Sequence, residues 1–221
     1  MKKNLLLCAF ALTTLFAANQ AATANGPLAT TTVAPASALQ VNTAQSTLKW
    51  NAKKVGGEHY GTINLAEGSL QVNGSKLAGG TFTIDMTSIV VKDITRPESN
   101  KRLTDHLKSD DFFSVEKHPK ATFTITKVAK LKAKAGAPNY NITGNLTIKG
   151  ITNPITFPAT VNIDGKTAEA TALITVDRTK YDIKYRSGLV GTAADKIIED
   201  TFTIDLKLVA GTDTQAVGST K

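Results

Sequence analysis

The sequence predicts an all-β, antiparallel, meandering domain with one helical insertion. Apolar and polar residues alternate with a period of two through most of residues 45–210, the pattern of half-buried strands. Turn signals rich in Gly, Asn and Pro separate the alternating runs. Only Glu98 to Phe113 breaks the rhythm. This pattern admits two closures, a single barrel or a two-sheet sandwich.

The first run places Leu48, Trp50 and Ala52 on one face and Thr47, Lys49 and Asn51 on the other. Turn signals follow at Gly56-Gly57, Glu67-Gly68, Asn73-Gly74 and Gly79-Gly80, and Phe82, Ile84 and Met86 share the next apolar face. In the interruption, Leu103, His106 and Leu107 suit one or two helical turns, which Phe112 and Phe113 close. His118-Pro119 is a rigid strand entry, because the residue before proline is pushed to extended geometry. Phe123 and Ile125 share the face that follows. Beyond the turn signal Gly136-Ala137-Pro138 come Ile155-Phe157-Ala159-Val161-Ile163, the turn Asp164-Gly165, and Ala168-Ala170-Ala172-Ile174-Val176. Phe202-Ile204-Leu206-Leu208 forms the last run. The segment TFTI recurs at Thr81, Thr122 and Thr201 at unequal intervals, which is strand grammar and not a repeat array.

The ends read differently. Lys2 and Lys3, the apolar stretch Leu5 to Phe16 and the small residues Ala21-Ala22-Thr23-Ala24 predict a secretory signal peptide over 1–24, cleaved after Ala24. Residues 25–44, rich in Ala, Thr and Pro and free of charge, read as a flexible linker, and 211–221 as a polar tail. The expected location is therefore periplasmic or secreted. No later stretch has the roughly 18 apolar residues of a spanning helix. The one cysteine, Cys8, lies inside the signal, and Leu7 before it is bulky where a lipidation signal wants a small residue. The mature chain thus carries no thiol for a disulfide, a Cys metal site or a Cys nucleophile.

The formal charge is +8, and loss of Lys2 and Lys3 with residues 1–24, which hold no acid, leaves +6. These cations are dispersed and aromatics are sparse, which argues against a nucleic-acid partner. His59, His106 and His118 show no metal-binding spacing, so neither metal nor cofactor is expected. No G-x-S-x-G motif is present. Asp110-Asp111 beside Phe112-Phe113 offers a carboxyl whose pKa burial would raise, but the pair also suits the end of a helical turn with the phenylalanines plugging the core. The alanines at 168, 170 and 172 point to the apolar side, where a filled core would more often place larger residues. They suit a dry open bore or larger side chains opposite.

Three segments, "HLKSDDFFSVEKHPKATFTI" (His106–Ile125), "YNITGNLTIKGITNPITFPATV" (Tyr140–Val161) and "DRTKYDIKYRSG" (Asp177–Gly188), stand in the order and spacing of the YceI-like family. The chain resembles that family from about Ser46 to Val209; Leu103 and Thr104 stand where members commonly carry Arg and Asp. The resemblance implies a lipocalin-like antiparallel barrel of about eight strands, exported, often a homodimer, non-catalytic and free of metal. It also implies a tunnel for a long-chain isoprenoid or fatty amphiphile, which favours the open bore. The expected tunnel residues are Trp50, Phe82, Ile84, Phe112, Phe113, Phe123, Ile125, Leu146, Ile148, Phe157, Ile174, Phe202 and Ile204, with a polar head near Arg102, Lys108, Arg178 or Tyr181. Two rival readings remain: a hydrolase using Asp110, Asp111 and His106 or His118 as acid and base, and a solid-cored sandwich acting as an envelope protein-interaction module.

Overall fold

The computed structural model describes residues 37–212. The expected signal peptide, most of the expected linker and nearly all of the expected polar tail lie outside the described residues.

Nine strands follow in order: β1 (Ser37–Val41), β2 (Thr47–Lys54), β3 (Gly57–Asn73), β4 (Lys76–Val91), β5 (Lys120–Lys130), β6 (Tyr140–Ile148), β7 (Ile151–Asp164), β8 (Thr167–Asp177) and β9 (Ile198–Gly211). A helix, α1 (Pro97–Lys108), stands between β4 and β5. The neighbours run β3-β2-β9-β8-β7-β6-β5-β4, and β4 pairs back to β3. Eight antiparallel strands therefore close on themselves, and the sandwich alternative falls.

Closure needs curvature, and the longest strands supply it with bulges. The β3–β4 register shifts between Thr62 and Asn64 and again between Leu65 and Glu67. The β5–β6 register shifts between Ile125 and Lys127. The turns at Gly74 and Gly165 are two residues long, and both glycines take the positive φ that such hairpins demand.

Two expectations need correction. The linker assigned to 25–44 contains β1, whose Leu39 and Val41 alternate inward and are buried. β1 bridges β3 and β9, so five residues, too few to show a period in an Ala- and Thr-rich stretch, are held by their neighbours. The helix runs twelve residues, longer than one or two turns, with Pro97 in its first turn and Glu98 placed to favour the helix dipole.

The long connections share one end of the barrel. There β4 leads into α1 and the turn 109–119, and β8 leads through the segment 178–197 to β9. The opposite end is filled: Leu39, Val72, Ala168, Tyr140 and Ala210 are buried beneath the bore. Sequence and topology thus make a vessel with a packed floor and a covered mouth.

Candidate functional site: an apolar tunnel

Inward-facing side chains of all eight barrel strands surround a cavity of about 200 Å³. Every apolar residue expected along the tunnel, from Trp50 to Ile204, borders it. Several of them, including Phe82, Ile84, Phe123, Ile125, Phe202 and Ile204, are only partly buried although they pack against the core, and they all border the bore. A filled core would have covered them. Ala170 and Ala172 border the space, whereas Ala168 lies below it in the floor.

Aromatic rings shape the bore, and two glycines admit them. A Cβ on Gly144 would stand 2.4 Å from the Phe123 ring, so Phe123 lies across β6 at a residue without a side chain. From there it packs against Phe157 at 5.6 Å and Phe82 at 6.3 Å. A Cβ on Gly61 would likewise meet the Trp50 ring and the Val90 carbonyl. The Trp50 indole N–H donates to that carbonyl oxygen (3.2 Å), so the wall buries the ring and satisfies its one donor. Neither glycine was identifiable from the sequence as a seat for an aromatic, because each faces its ring across strands. Ile63, Leu65, Ile142 and Ile155 also line the bore, and their period-two alternation was the signal for them.

Among the lining residues only Arg178 and Glu199 are charged. Arg178 is 4% exposed, and its guanidinium donates to the carbonyls of Ile183, Tyr185, Ile198 and Glu199 and to Asp200. Burial pushes its pKa down, while Asp200 and Asp177 oppose that shift. With its donors committed to the chain, Arg178 holds the segment 178–187 to β9. The other polar residues expected at the mouth do not border the bore. Tyr181 is fully buried in the wall, Arg102 is exposed on α1, and Lys108 donates to the Thr87 carbonyl (2.8 Å).

Leu107, Phe112 and Phe113 cover the mouth from the α1 side, and Ile183 does so from the opposite segment. The two sides meet at His106, whose ring packs edge-on against Tyr185 (4.7 Å) and Phe112 (5.0 Å). Its Nε2 lies 2.9 Å from Asp111. Asp110 accepts from Lys117 (2.6 Å) and from the Ser114 hydroxyl, and these bonds, Lys117 first, hold its pKa below the usual carboxylate value. A general acid would need the opposite shift. His118 lies apart, beside Gly150. The run Asp110-Asp111-Phe112-Phe113 thus serves as a cap.

The YceI-like domain model matches residues 39–210. The chain belongs to the YceI-like family. Curated relatives include a UPF0312 protein of Pectobacterium atrosepticum, 34% identical over 100 residues, which are 45% of this chain and 47% of the relative. A UPF0312 protein of Azotobacter vinelandii is 33% identical over 107 residues, 48% of this chain and 51% of its own length. The match thus spans about half the length of these relatives. The solved structure of BcnA from Burkholderia cenocepacia is similar over 77% of this chain and 99% of its own, with a TM-score of 0.54 and 27% identity. A polyisoprenoid binding domain from Saccharophagus degradans, implicated in plant cell wall breakdown, shares the fold with a TM-score of 0.54 and 16% identity, over 78% of this chain and 97% of that domain. No helix among the described residues is long and apolar enough to cross a membrane.

Proposed function

We propose that this YceI-like barrel holds the long apolar chain of an isoprenoid or similar amphiphilic lipid and stores or carries it in the cell envelope without chemical turnover. The observation that carries the reading is the enclosed lumen itself, walled by aliphatic and aromatic side chains and charged only at Arg178 and Glu199. Membership of the YceI-like family and the fold shared with a polyisoprenoid binding domain support it. At about 0.8 kcal/mol for each buried methylene, ten carbons gross about 8 kcal/mol before ordering costs, which is enough affinity without chemistry.

The head group stays at the α1 end, where Arg102 and Lys108 are the helix arginine and lysine without a carboxylate partner among the described residues, Lys101 being paired with Asp105, since Arg178 and Tyr181 are committed to the fold. The N-terminal signal features of the sequence support a location in the periplasm or outside the cell.

The test is organic extraction of the purified protein, with mass spectrometry against a mock purification. A long-chain lipid near one per barrel is expected, and Phe123→Asp, checked for folding, should lose it. A folded, lipid-free wild type that binds no added polyprenol would sink the proposal.

A further inference from the structure

Among the described residues, four large apolar side chains expose more than half their surface: Leu189 (73%), Leu173 (64%), Val190 (54%) and Val55 (53%). Leu173 stands on the outer wall in the middle of β8, but the other three sit together at the mouth end. Val55 forms the tip between β2 and β3, and its N–H donates to the Ile197 carbonyl (3.0 Å). The Ile197 side chain in turn approaches Gly188, 3.8 Å from where a Cβ would stand, at the base of the tip that carries Leu189 and Val190.

That second tip is built, not loose. Ser187 is fully buried, and its Oγ accepts from the Leu189 N–H (3.1 Å). Its carbonyl accepts from the Thr192 hydroxyl (2.7 Å) and the Val190 N–H (3.3 Å). Gly191 closes the turn at φ +72°. A buried serine therefore holds two aliphatic side chains out in water, and exposed apolar residues at fixed positions mark contact surfaces.

Charge and position argue for the partner. Lys53, Lys54, Arg186 and Lys196 flank the tips, are exposed, and have no carboxylate partner among the described residues; Arg186 also lies over the Tyr185 ring (5.3 Å). The carboxylates facing them are Glu58, which accepts from Asn51 (3.1 Å), Asp195 and Glu199, while Lys184 and Asp182 pair with each other at 2.9 Å. Aliphatic tips within a slightly basic ring fit the interface of a bilayer containing anionic lipid. The tips also adjoin the tunnel, because Ala52, one residue before Lys53, and Ile198 and Glu199, just after Ile197, line it.

We propose that Val55, Leu189 and Val190 dock the mouth of the barrel on a lipid bilayer, so that a chain passes between membrane and tunnel without crossing water. This rests on the lipid-carrier reading and names the partner of that site.

The test is flotation of the full chain with phosphatidylcholine vesicles, with and without phosphatidylglycerol, at low and high salt. Leu189→Ser/Val190→Ser should lose at least about tenfold in vesicle partitioning, because burying one large aliphatic side chain is worth more than that factor. Leu173→Ser, on the outer wall, should float like the wild type. Leu189→Trp, made with Trp50→Phe because Trp50, the chain's one tryptophan, borders the bore and would report cargo as well, should be quenched by brominated acyl chains.

Equal flotation of wild type and double variant overturns the proposal, as does the absence of wild-type binding or of quenching. A double variant that splits a dimer without changing flotation makes the tips an interface between copies and overturns it too. Extraction separates the two readings. Lipid-free protein whose flotation still depends on the tips leaves docking standing and removes the cargo. Lipid-loaded protein indifferent to the tips does the reverse.

Discussion

Arg178 and Tyr181 lie three residues apart and are both buried, yet their polar atoms meet opposite fates. Arg178 is ringed by acceptors, whereas the Tyr181 hydroxyl has no hydrogen-bond partner among the described residues. A buried hydroxyl without a partner costs about 1–3 kcal/mol. Tyr181→Phe keeps the ring and removes that cost, so it should raise stability by about 1 kcal/mol, or about 3 °C in Tm for a domain of this size. Thermal unfolding at neutral pH reads this directly, and a loss of stability would show that the hydroxyl is bonded. The variant has a pH signature as well. Burial first, and the nearby Asp177 second, push the Tyr181 pKa from 10.0 up to about 12. The unfolded chain therefore releases this proton before the folded one does. The stability linked to it is intact below pH 10 and declines as pH rises toward 12. Tyr181→Phe should lack that component, so its advantage over wild type should widen above pH 10.

At the scale of elements, the barrel wall is not sewn evenly. β7 pairs with β8 only from Thr160↔Thr171 to Asp164↔Thr167, while its stretch from Ile151 to Ala159 pairs with β6 alone. Pro154 and Pro158 lie exposed in that stretch, and a residue without an N–H belongs on an unpaired edge. The segment 178–187 packs against this stretch of wall, tied to β7 by the Asn153 amide donating to the Lys180 carbonyl (2.9 Å) and to β9 through Arg178. Arg178→Met leaves four carbonyls without their donor and should cost about 3–5 kcal/mol, the scale for removing one partner of a buried charged network. Arg178→Lys should recover only part, because an ammonium has three donors and no planar fork. Urea unfolding measures the loss, and limited proteolysis should cut both variants first within 178–197. A Met variant as stable as wild type would refute the role.

Arg178 and Tyr181 read as head-group residues for a physical reason: polar residues at a strand end resemble a rim, and two of the four carbonyls that claim Arg178 stand some twenty residues away. β1 was hidden because five residues show no period. The barrel strands were legible because each has one wet and one dry face. Even so, Phe123 and Ile125 would alternate identically in a filled core.

At the scale of the whole molecule, that last ambiguity is what separates a vessel from a solid. The alanines of β8 fit either case and the family resemblance favoured the vessel; the structure surrounds the bore with Ala121, Ala159, Ala170 and Ala172 among larger residues. Packed interiors punish added volume, typically by 1–3 kcal/mol, because neighbouring side chains are forced off their rotamers. A lumen does not, since its lining lacks contacts on one side and gains them when a side chain grows inward. Ala170→Leu/Ala172→Leu therefore has opposite consequences in the two cases. In a vessel the double variant should match or exceed the wild type in Tm while retaining much less lipid on extraction, because the added side chains occupy the space of the cargo. In a solid barrel it should unfold several degrees earlier, with extraction unchanged at background. Melting and extraction of the same preparation decide between them, since no packing arrangement lets a filled core both tolerate the added volume and lose a ligand it never held.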